Sequence, residues 1–289
     1  MKKVLLILMC CMAIQSVHAQ DTPKWADKAK KAVFSIVTYD KENKIKNTGN
    51  GFYIDNNGTA LSDYSLFEDA ERAVIINADG KELPVTRIAG ANSMYDVIKF
   101  RTETEKKITA LKVATQPAAV GETVYLLPYS TQKAATCQTG KVTQVDTIAD
   151  KAYYYTLTMT TSDKTVSCPI MNANGEVLGL IQKSASEEDK ESYAIGASYG
   201  ESLSISPLSA NDINLNKIGI AKALPETEDQ ALVYLYMSSS QMDAKNYLAT
   251  LNDFLQAYPN STEGYTRRAG YYMNIGDDEH NALAEADLK

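Results

Sequence analysis

The apolar residues of this chain change their spacing twice, and each change predicts a different kind of structure. From about residue 32 to residue 200 they fall in short runs rich in β-branched and aromatic side chains, which predict β-strands. Turn sequences such as Asn56-Asn57-Gly58 separate neighbouring runs and predict hairpins. The predicted strands form two equal groups, which lie at 32–39, 51–54, 59–61, 73–77, 83–88 and 97–100, and at 123–127, 137–145, 153–160, 169–171, 176–182 and 192–195. This pattern predicts an all-β domain, either a double barrel or a sandwich.

A short helix is predicted before the strands and an irregular connection after them. Thr22 and Pro23 suit an N-cap and a first helical position, and the helix that they begin is expected to end near Lys31. Residues 201–225 contain two prolines among scattered serines and asparagines, which favours a connecting segment rather than part of a core. The predicted organisation is therefore an N-terminal helix at 20–31, a β domain at 32–200 and a connecting segment at 201–225.

Helical spacing of the apolar residues returns after residue 225. Thr227 and Gln230 have the spacing of a capping box, in which each side chain bonds the other's backbone N–H group at a helix start. The next helix is expected to end before Pro259, which cannot continue it. Two more helices are expected near 262–276 and 278–289. The C-terminal region, 226–289, is thus predicted to be all-α, with two helical hairpins at 226–258 and 260–289.

Residues 1–19 have the pattern of a secretory signal peptide. Lys2 and Lys3 form a basic start, an apolar run extends from Val4 to Ile14, and Ala19 is a small residue at the expected cleavage site. The run is too short for a membrane span, and no later segment is apolar for long enough. We expect an exported mature chain, periplasmic or extracellular, without a transmembrane segment.

Charge and residue content limit the expected partners. The net charge is -7, about -9 once the signal lysines are removed, and no basic patch with interleaved aromatic residues occurs, so nucleic acid is not expected as a partner. No group of residues has metal-ligand spacing, and no cofactor is expected. Cys137 and Cys168 remain in the mature chain. They form either a disulfide, worth about 3 kcal/mol for a loop of about 30 residues, or two buried thiols, and the sequence leaves both open.

The β domain resembles the trypsin-like proteases of the bacterial periplasm, the Deg type. Residues 49–54, GNGFYI, resemble that family's Gly-Ser-Gly-Phe strand, and residues 57–62, NGTALS, resemble the hairpin before its catalytic histidine. Residues 95–100, YDVIKF, resemble the strand of the catalytic aspartate, and residues 169–181 resemble the strand after the nucleophile. The resemblance covers roughly residues 32–200 and implies a trypsin-like double β-barrel.

The positions that match the catalytic triad lack two of its three reactive groups. The histidine position holds Ser65 and the nucleophile position holds Val166, whereas the aspartate position keeps Asp96. The family mechanism needs a base with a pKa near neutrality to activate its hydroxyl, and histidine supplies that base. The chain has two histidines, His18 in the predicted signal peptide and His280 in the last predicted helix. The resemblance therefore implies a degenerate triad and no peptidase activity.

A rearranged active site is the main alternative. Ser167 lies next to the nucleophile position and is the best candidate for a displaced nucleophile. Lys164 or Lys99 would then be the base, since burial lowers the pKa of a lysine. In that case the protein would be an active serine-type peptidase with a Ser-Lys-like site.

Residues 259–276 resemble a tetratricopeptide repeat. An Ala-Tyr-Pro sequence precedes a turn, and Tyr265, Ala269 and Tyr272 follow at the spacing of that repeat, although Arg268 stands where the family prefers leucine. The resemblance implies an incomplete repeat domain that binds a protein or peptide, with Tyr265 and Tyr272 as candidate contacts.

These resemblances together predict an exported, noncatalytic pseudoprotease with a repeat domain for protein–protein interaction. The two alternatives are the active Ser-Lys peptidase and a β domain that serves only as a structural scaffold for the repeats.

Overall fold

The structure, a computed structural model, describes residues 22–104, 108–149, 152–182 and 190–289. The predicted signal peptide at 1–19 lies outside these ranges. Within them, two closed antiparallel β-barrels are followed by a helical region. The predicted fold class, a double barrel followed by helices, is confirmed.

The first barrel consists of six strands: β1 (Val33–Tyr39), β2 (Ile45–Tyr53), β3 (Thr59–Ser62), β4 (Arg72–Ile76), β5 (Glu82–Asn92) and β6 (Val97–Thr102). They close in the order β1-β2-β3-β6-β5-β4. Because side chains alternate between the two faces of a strand, one set fills the barrel. Phe34, Phe52 and Phe100 belong to this inward set and are at most 1% exposed.

The second barrel repeats this plan with β7 (Thr123–Leu126), β8 (Gln138–Ala149), β9 (Ala152–Leu157), β10 (Pro169–Met171), β11 (Val177–Ile181) and β12 (Ser192–Gly196). The closed order is β7-β8-β9-β12-β11-β10. Leu126, Leu157, Leu180 and Ile195 are fully buried. Both groups of predicted strands therefore exist as barrels, which rules out the sandwich.

Strands β2, β5 and β8 each extend about four or more residues beyond the predicted apolar runs. Polar residues at their ends still pair across the ladder, as Asn47 does with Thr38 and Asn92 with Val97. Hydrophobic alternation marks only the buried part of a strand, so it misses ends that are held by backbone hydrogen bonds alone.

A short N-terminal helix, α1 (Ala26–Ala29), continues as a 3-10 turn over Lys30–Ala32. The end agrees with the predicted helix end near Lys31, but the predicted start at Thr22 and Pro23 is wrong, because the helix begins at Ala26 with Trp25 as its N-cap. Trp25, just before α1, packs on the second barrel: its Nε1 donates to the Ala173 carbonyl oxygen at 3.0 Å, and its ring meets that of Tyr125 edge-on. The helix is thereby fixed to the hairpin between β10 and β11.

Residues 201–225, predicted to be a connection outside any core, instead pack on the barrels. They contain the end of α2 (Ala197–Ser202), a 3-10 turn at Pro207–Asn211 and α3 (Ile213–Asn216). Buried apolar side chains of this segment join the barrel core, namely those of Ile205, Ala210, Leu215, Ile218, Ile220 and Ala223. The backbone also pairs with β5, because the N–H of Ile88 donates to Ala221 at 2.8 Å and its carbonyl accepts from Ala223 at 2.7 Å. The wide spacing of these apolar residues concealed their burial.

The helical region consists of α4 (Glu228–Ser238), α5 (Ala244–Ala257), α6 (Thr262–Ile275) and α7 (Asp278–Asp287), close to the predicted bounds. The predicted capping box is wrong, because the side chain of Thr227 makes no cap hydrogen bond. Each of the other three helices begins with an N-cap side chain that accepts a hydrogen bond from a backbone N–H, and these N-caps are Asp243, Ser261 and Asp277. Within the described ranges, no helix is both long and apolar enough to cross a membrane.

Polar contacts hold the helices to each other and to the first barrel. Arg268 forms a two-point ion pair with Asp287, through Nε at 2.8 Å and Nη2 at 2.6 Å. This arginine, which stands where the repeat family prefers leucine, therefore links α6 to α7. Arg87 on β5 donates from Nε to Asp253 on α5 at 2.8 Å. Tyr234 of α4 is buried in the barrel core. The helical region is therefore docked on the first barrel.

Candidate functional site

The side chains at the predicted histidine and aspartate positions contact each other at the rim of the first barrel. Ser65 lies in a 3-10 turn that follows β3, and Asp96 ends the turn that leads into β6. The Ser65 N–H donates to Asp96 Oδ1 at 2.7 Å, and the Ser65 hydroxyl donates to Asp96 Oδ2 at 3.0 Å. Both carboxylate oxygens thus have a donor. A serine hydroxyl does not supply the neutral-pH base that an imidazole would provide here.

The turn at residues 162–168 carries the predicted nucleophile position. The N–H of Val166 donates to the Ser162 carbonyl at 3.1 Å, and that of Ser167 donates to Ile181 at 2.9 Å. An oxyanion hole needs N–H groups that point at the substrate. The Val166 amide already has an acceptor inside the turn, so it is not available for that purpose.

Asn50 of the first barrel holds this turn from the other side. Its Nδ2 donates to the carbonyl oxygens of Lys164 at 3.1 Å and Val166 at 2.9 Å. Asn50 is 5% exposed, and its backbone carbonyl oxygen accepts a hydrogen bond from the Ser62 hydroxyl at 2.6 Å. Carbonyl oxygens of the turn therefore face the first barrel across the junction.

Asp63 is a feature of the site that the sequence reasoning missed. It directly follows β3 and is 2% exposed, and the side chain of Ser167 is fully buried beside it. Neither Asp63 Oδ1 nor Ser167 Oγ has a partner with hydrogen-bond geometry among the described residues. A carboxyl residue at the end of an apolar strand, next to the expected catalytic loop, was the available signal.

The protonation of Asp63 follows from its surroundings. Burial raises the pKa of its carboxyl group well above the ordinary value, the charge of Asp96 raises it further, and the adjacent Ser167 hydroxyl opposes the shift. Ser167 itself has a φ of 64°, a left-handed conformation that non-glycine residues rarely adopt. This conformation accompanies an inward-facing hydroxyl that solvent does not reach.

The comparisons with known proteins agree with this architecture. Residues 49–180 match the profile of the trypsin-like peptidase domain. Among solved structures, the crystal structure of the serine endoprotease from Yersinia pestis is similar, with a TM-score of 0.51 and 15% sequence identity over 60% of this chain and 61% of that chain. At this identity the likeness shows the trypsin-like fold alone, and the chain spans about 61% of that endoprotease. No curated protein matches the chain.

The two lysines proposed as alternative bases are not brought to Ser167. Lys99 donates from Nζ to the Glu201 carbonyl oxygen at 2.7 Å, and burial lowers its pKa. Lys164 is exposed, and only its carbonyl oxygen takes part in the contact with Asn50 described above. Since Ser167 Oγ has no hydrogen-bond partner among the described residues, neither ammonium group is placed to activate it.

The two cysteines are free thiols, so the disulfide is not formed and the alternative of two thiols applies. Cys168 is fully buried, and Cys137 is half-buried. Burial raises the pKa of Cys137 to about 11 and that of Cys168 to about 12. Within the described ranges, no cluster of three or more His, Cys, Asp or Glu residues could hold a metal ion.

The thiols are expected to react slowly in the folded protein. Because the thiolate is the nucleophile, the raised pKa values of Cys137 and Cys168 lower alkylation by iodoacetamide at pH 8 by on the order of a hundredfold or more relative to the urea-unfolded chain. Mass spectrometry of timed samples measures both sites. Rapid labelling of Cys168 in the folded protein would contradict its burial. An intact mass lower by two hydrogen atoms in the absence of reductant would indicate a disulfide and contradict the assignment of free thiols.

The remaining candidate residues lie within the helical region. The Tyr265 hydroxyl donates to the Pro259 carbonyl at 3.2 Å, and the Tyr272 ring packs against His280 at 5.7 Å. His280 Nδ1 lies 2.7 Å from Asp277 in the first turn of α7. His280 is thus engaged locally rather than at the junction of the barrels.

Proposed function

We propose that the protein is an exported, noncatalytic member of the trypsin-like peptidase fold whose helical region binds another protein. The carrying observation is the contact of Ser65 with both carboxylate oxygens of Asp96, at the place where a base would have to stand. Val166 at the nucleophile position supports the same proposal, because a valine side chain has no group that can attack a carbonyl.

Peptide hydrolysis at this site would need an accessible nucleophile, a base and oxyanion-hole donors, and the described residues do not supply these three together. Ser167 has a hydroxyl, but it is fully buried. Asp63 beside it keeps its proton more strongly than an ordinary carboxyl group, so below its raised pKa it cannot accept the hydroxyl proton. Loss of the base or the nucleophile in this mechanism costs on the order of a millionfold in turnover.

The partner-binding half of the proposal is supported by the form of the helical region. Its helices α4 to α7 pack as two successive hairpins, with a small core of Ala231, Leu235, Leu251, Phe254 and Leu255. Tyr236 on α4 is 69% exposed, and Met273 on α6 is 53% exposed. A contact with another protein is the use that we propose for these exposed side chains.

An active peptidase that uses Ser167 is the second candidate, favoured by the left-handed backbone of Ser167 and the adjacent Asp63. A fluorophosphonate probe distinguishes the two candidates, because it labels an activated serine covalently. We expect no labelling of the processed full-length chain and no cleavage of casein, with an active trypsin-like enzyme as the positive control. Labelling that is present in the natural chain and absent in Ser167→Ala would refute the noncatalytic assignment.

A further inference from the structure

Gly270 occupies a helical position where packing does not require glycine. It lies inside α6, where glycine is about 0.5–1 kcal/mol less favourable than alanine. The other glycine of α6, Gly264, has a steric reason, since a Cβ there would lie 2.6 Å from the Phe254 ring. At Gly270 a Cβ would meet no atom of the described residues within 4 Å, although the residue is half-buried. A half-buried position with open space beside it is a notch in the helix surface.

This notch opens into a groove of about 500 Å³ between the α4–α5 turn and α6. Its apolar walls include Met242, Tyr247 and Tyr271. The two tyrosine rings lie 6.2 Å apart, and the Tyr271 hydroxyl donates to the Ala244 carbonyl oxygen at 2.9 Å. The walls are therefore held in place in the absence of an occupant, which lowers the ordering cost of binding.

One cation, already paired on one side with a carboxylate, lines the groove. Among its described lining residues, Arg267 is the only charged one. Its Nη2 pairs with Glu263 at 2.8 Å, whereas its Nε is buried and has no hydrogen-bond partner among the described residues. A guanidinium group with unused donor capacity favours a carboxylate.

We propose that this groove, formed by Met242, Tyr247, Arg267, Gly270 and Tyr271, binds a peptide segment of the partner in which an apolar side chain stands next to a carboxylate. The apolar side chain enters the notch at Gly270 between the tyrosine rings, and the carboxylate meets Arg267. This inference deepens the proposed partner binding and rests on it. It places the contact on residues other than Tyr265 and Tyr272.

Gly270→Ala separates binding from folding. The added methyl group fills the notch without a clash and improves helix propensity, so the melting temperature is expected to rise by a few degrees.

The probes are three pools of fluorescein-labelled octapeptides with Phe-Asp, Phe-Asn or Gly-Asp at the central positions. Each pool is titrated with the processed chain, and binding is measured by fluorescence polarisation. We expect the Phe-Asp pool to bind best, and to bind Gly270→Ala about tenfold more weakly, the effect of one methyl group in an apolar pocket. Arg267→Gln is expected to remove the preference for Phe-Asp over Phe-Asn.

Asn281→Ala is the matched control, because it also introduces a better helix former at an exposed position of α7, away from the groove. It is expected to raise stability without changing peptide binding. Equal binding of the three pools, no binding of any pool, or equal binding to the natural chain and Gly270→Ala would each overturn the groove assignment. The noncatalytic assignment would survive those results, since it depends on the barrels and is tested by the fluorophosphonate probe.

Discussion

Replacing Gly179 with alanine is expected to lower the free energy of unfolding by about 3 kcal/mol, the upper part of the range for an extra methyl group in a packed core. Gly179 lies in the middle of β11, paired with Ile170 on one side and Gly196 on the other. A Cβ at this position would lie 2.4 Å from the carbonyl oxygen of Ile195. Because the obstacle is backbone in a closed barrel, it cannot move aside as a side chain would. Gly179 is therefore required by the sheet itself.

Thermal unfolding by circular dichroism measures this effect, and a decrease of about 6–12 °C is expected for a chain of this size. Gly270→Ala is the control, because it adds the same methyl group where nothing lies within 4 Å. The two variants should shift the melting temperature in opposite directions. A Gly179→Ala protein as stable as the natural chain would show that β11 does not approach β12 as closely as described.

Asp63→Asn is expected to make the protein more stable at pH 8 and to leave its stability nearly unchanged at pH 4. The folded state holds the Asp63 proton to higher pH than the unfolded chain, so the folded state binds more protons between the ordinary and the raised pKa. Stability of the natural chain therefore falls as pH rises through that window. Asparagine cannot ionise and lacks this loss. The gain at pH 8 is expected to be about 1.4 kcal/mol for each pH unit by which the folded pKa of Asp63 exceeds the ordinary value, up to pH 8.

Urea unfolding at pH values from about 2 to 8 measures the difference between the natural chain and Asp63→Asn, and the acid end of this range covers the control described next. Asp55→Asn is the matched control, and the opposite pH dependence of stability is expected for it. Burial raises the pKa of Asp55, but hydrogen bonds from Thr59 and Asn57 outweigh burial and lower the pKa overall. That variant should lose stability at pH values above the ordinary carboxyl pKa and approach the natural chain in acid. If Asp63→Asn kept the pH slope of the natural chain, Asp63 would not hold a proton in the folded state.

The strands were predictable because their chemistry is local. Residues 169–171 and 177–181 show continuous apolar runs beside the Asn172–Gly175 turn, and both became barrel strands. The substitutions Ser65 and Val166 were also readable, because a histidine or nucleophilic serine is either present or absent. These parts of the structure depend on residue type and near-neighbour spacing alone.

The remaining features depend on contacts between distant residues. Asn50 replaces a small serine of the family motif, and nothing in its neighbourhood shows that its amide reaches Lys164 and Val166, more than a hundred positions away. Asp63 is buried beside Ser167, a residue more than a hundred positions away in the sequence. The two lysines were plausible partners of Ser167 by residue type, but the barrels direct Lys99 to Glu201 instead.

The hydrogen bonds of the Asn50 amide have a consequence for attempts to rebuild a hydrolase on this scaffold. Restoring an imidazole at Ser65 and a hydroxyl at Val166 would return two side chains but not the orientation of the peptide groups around them. The Lys164 and Val166 carbonyls would still accept from Asn50, and the Val166 N–H would still donate to the Ser162 carbonyl, so that amide could not stabilise the negative oxygen of a tetrahedral intermediate. Peptide planes, and not only side chains, would have to be turned over before such a graft could accelerate hydrolysis.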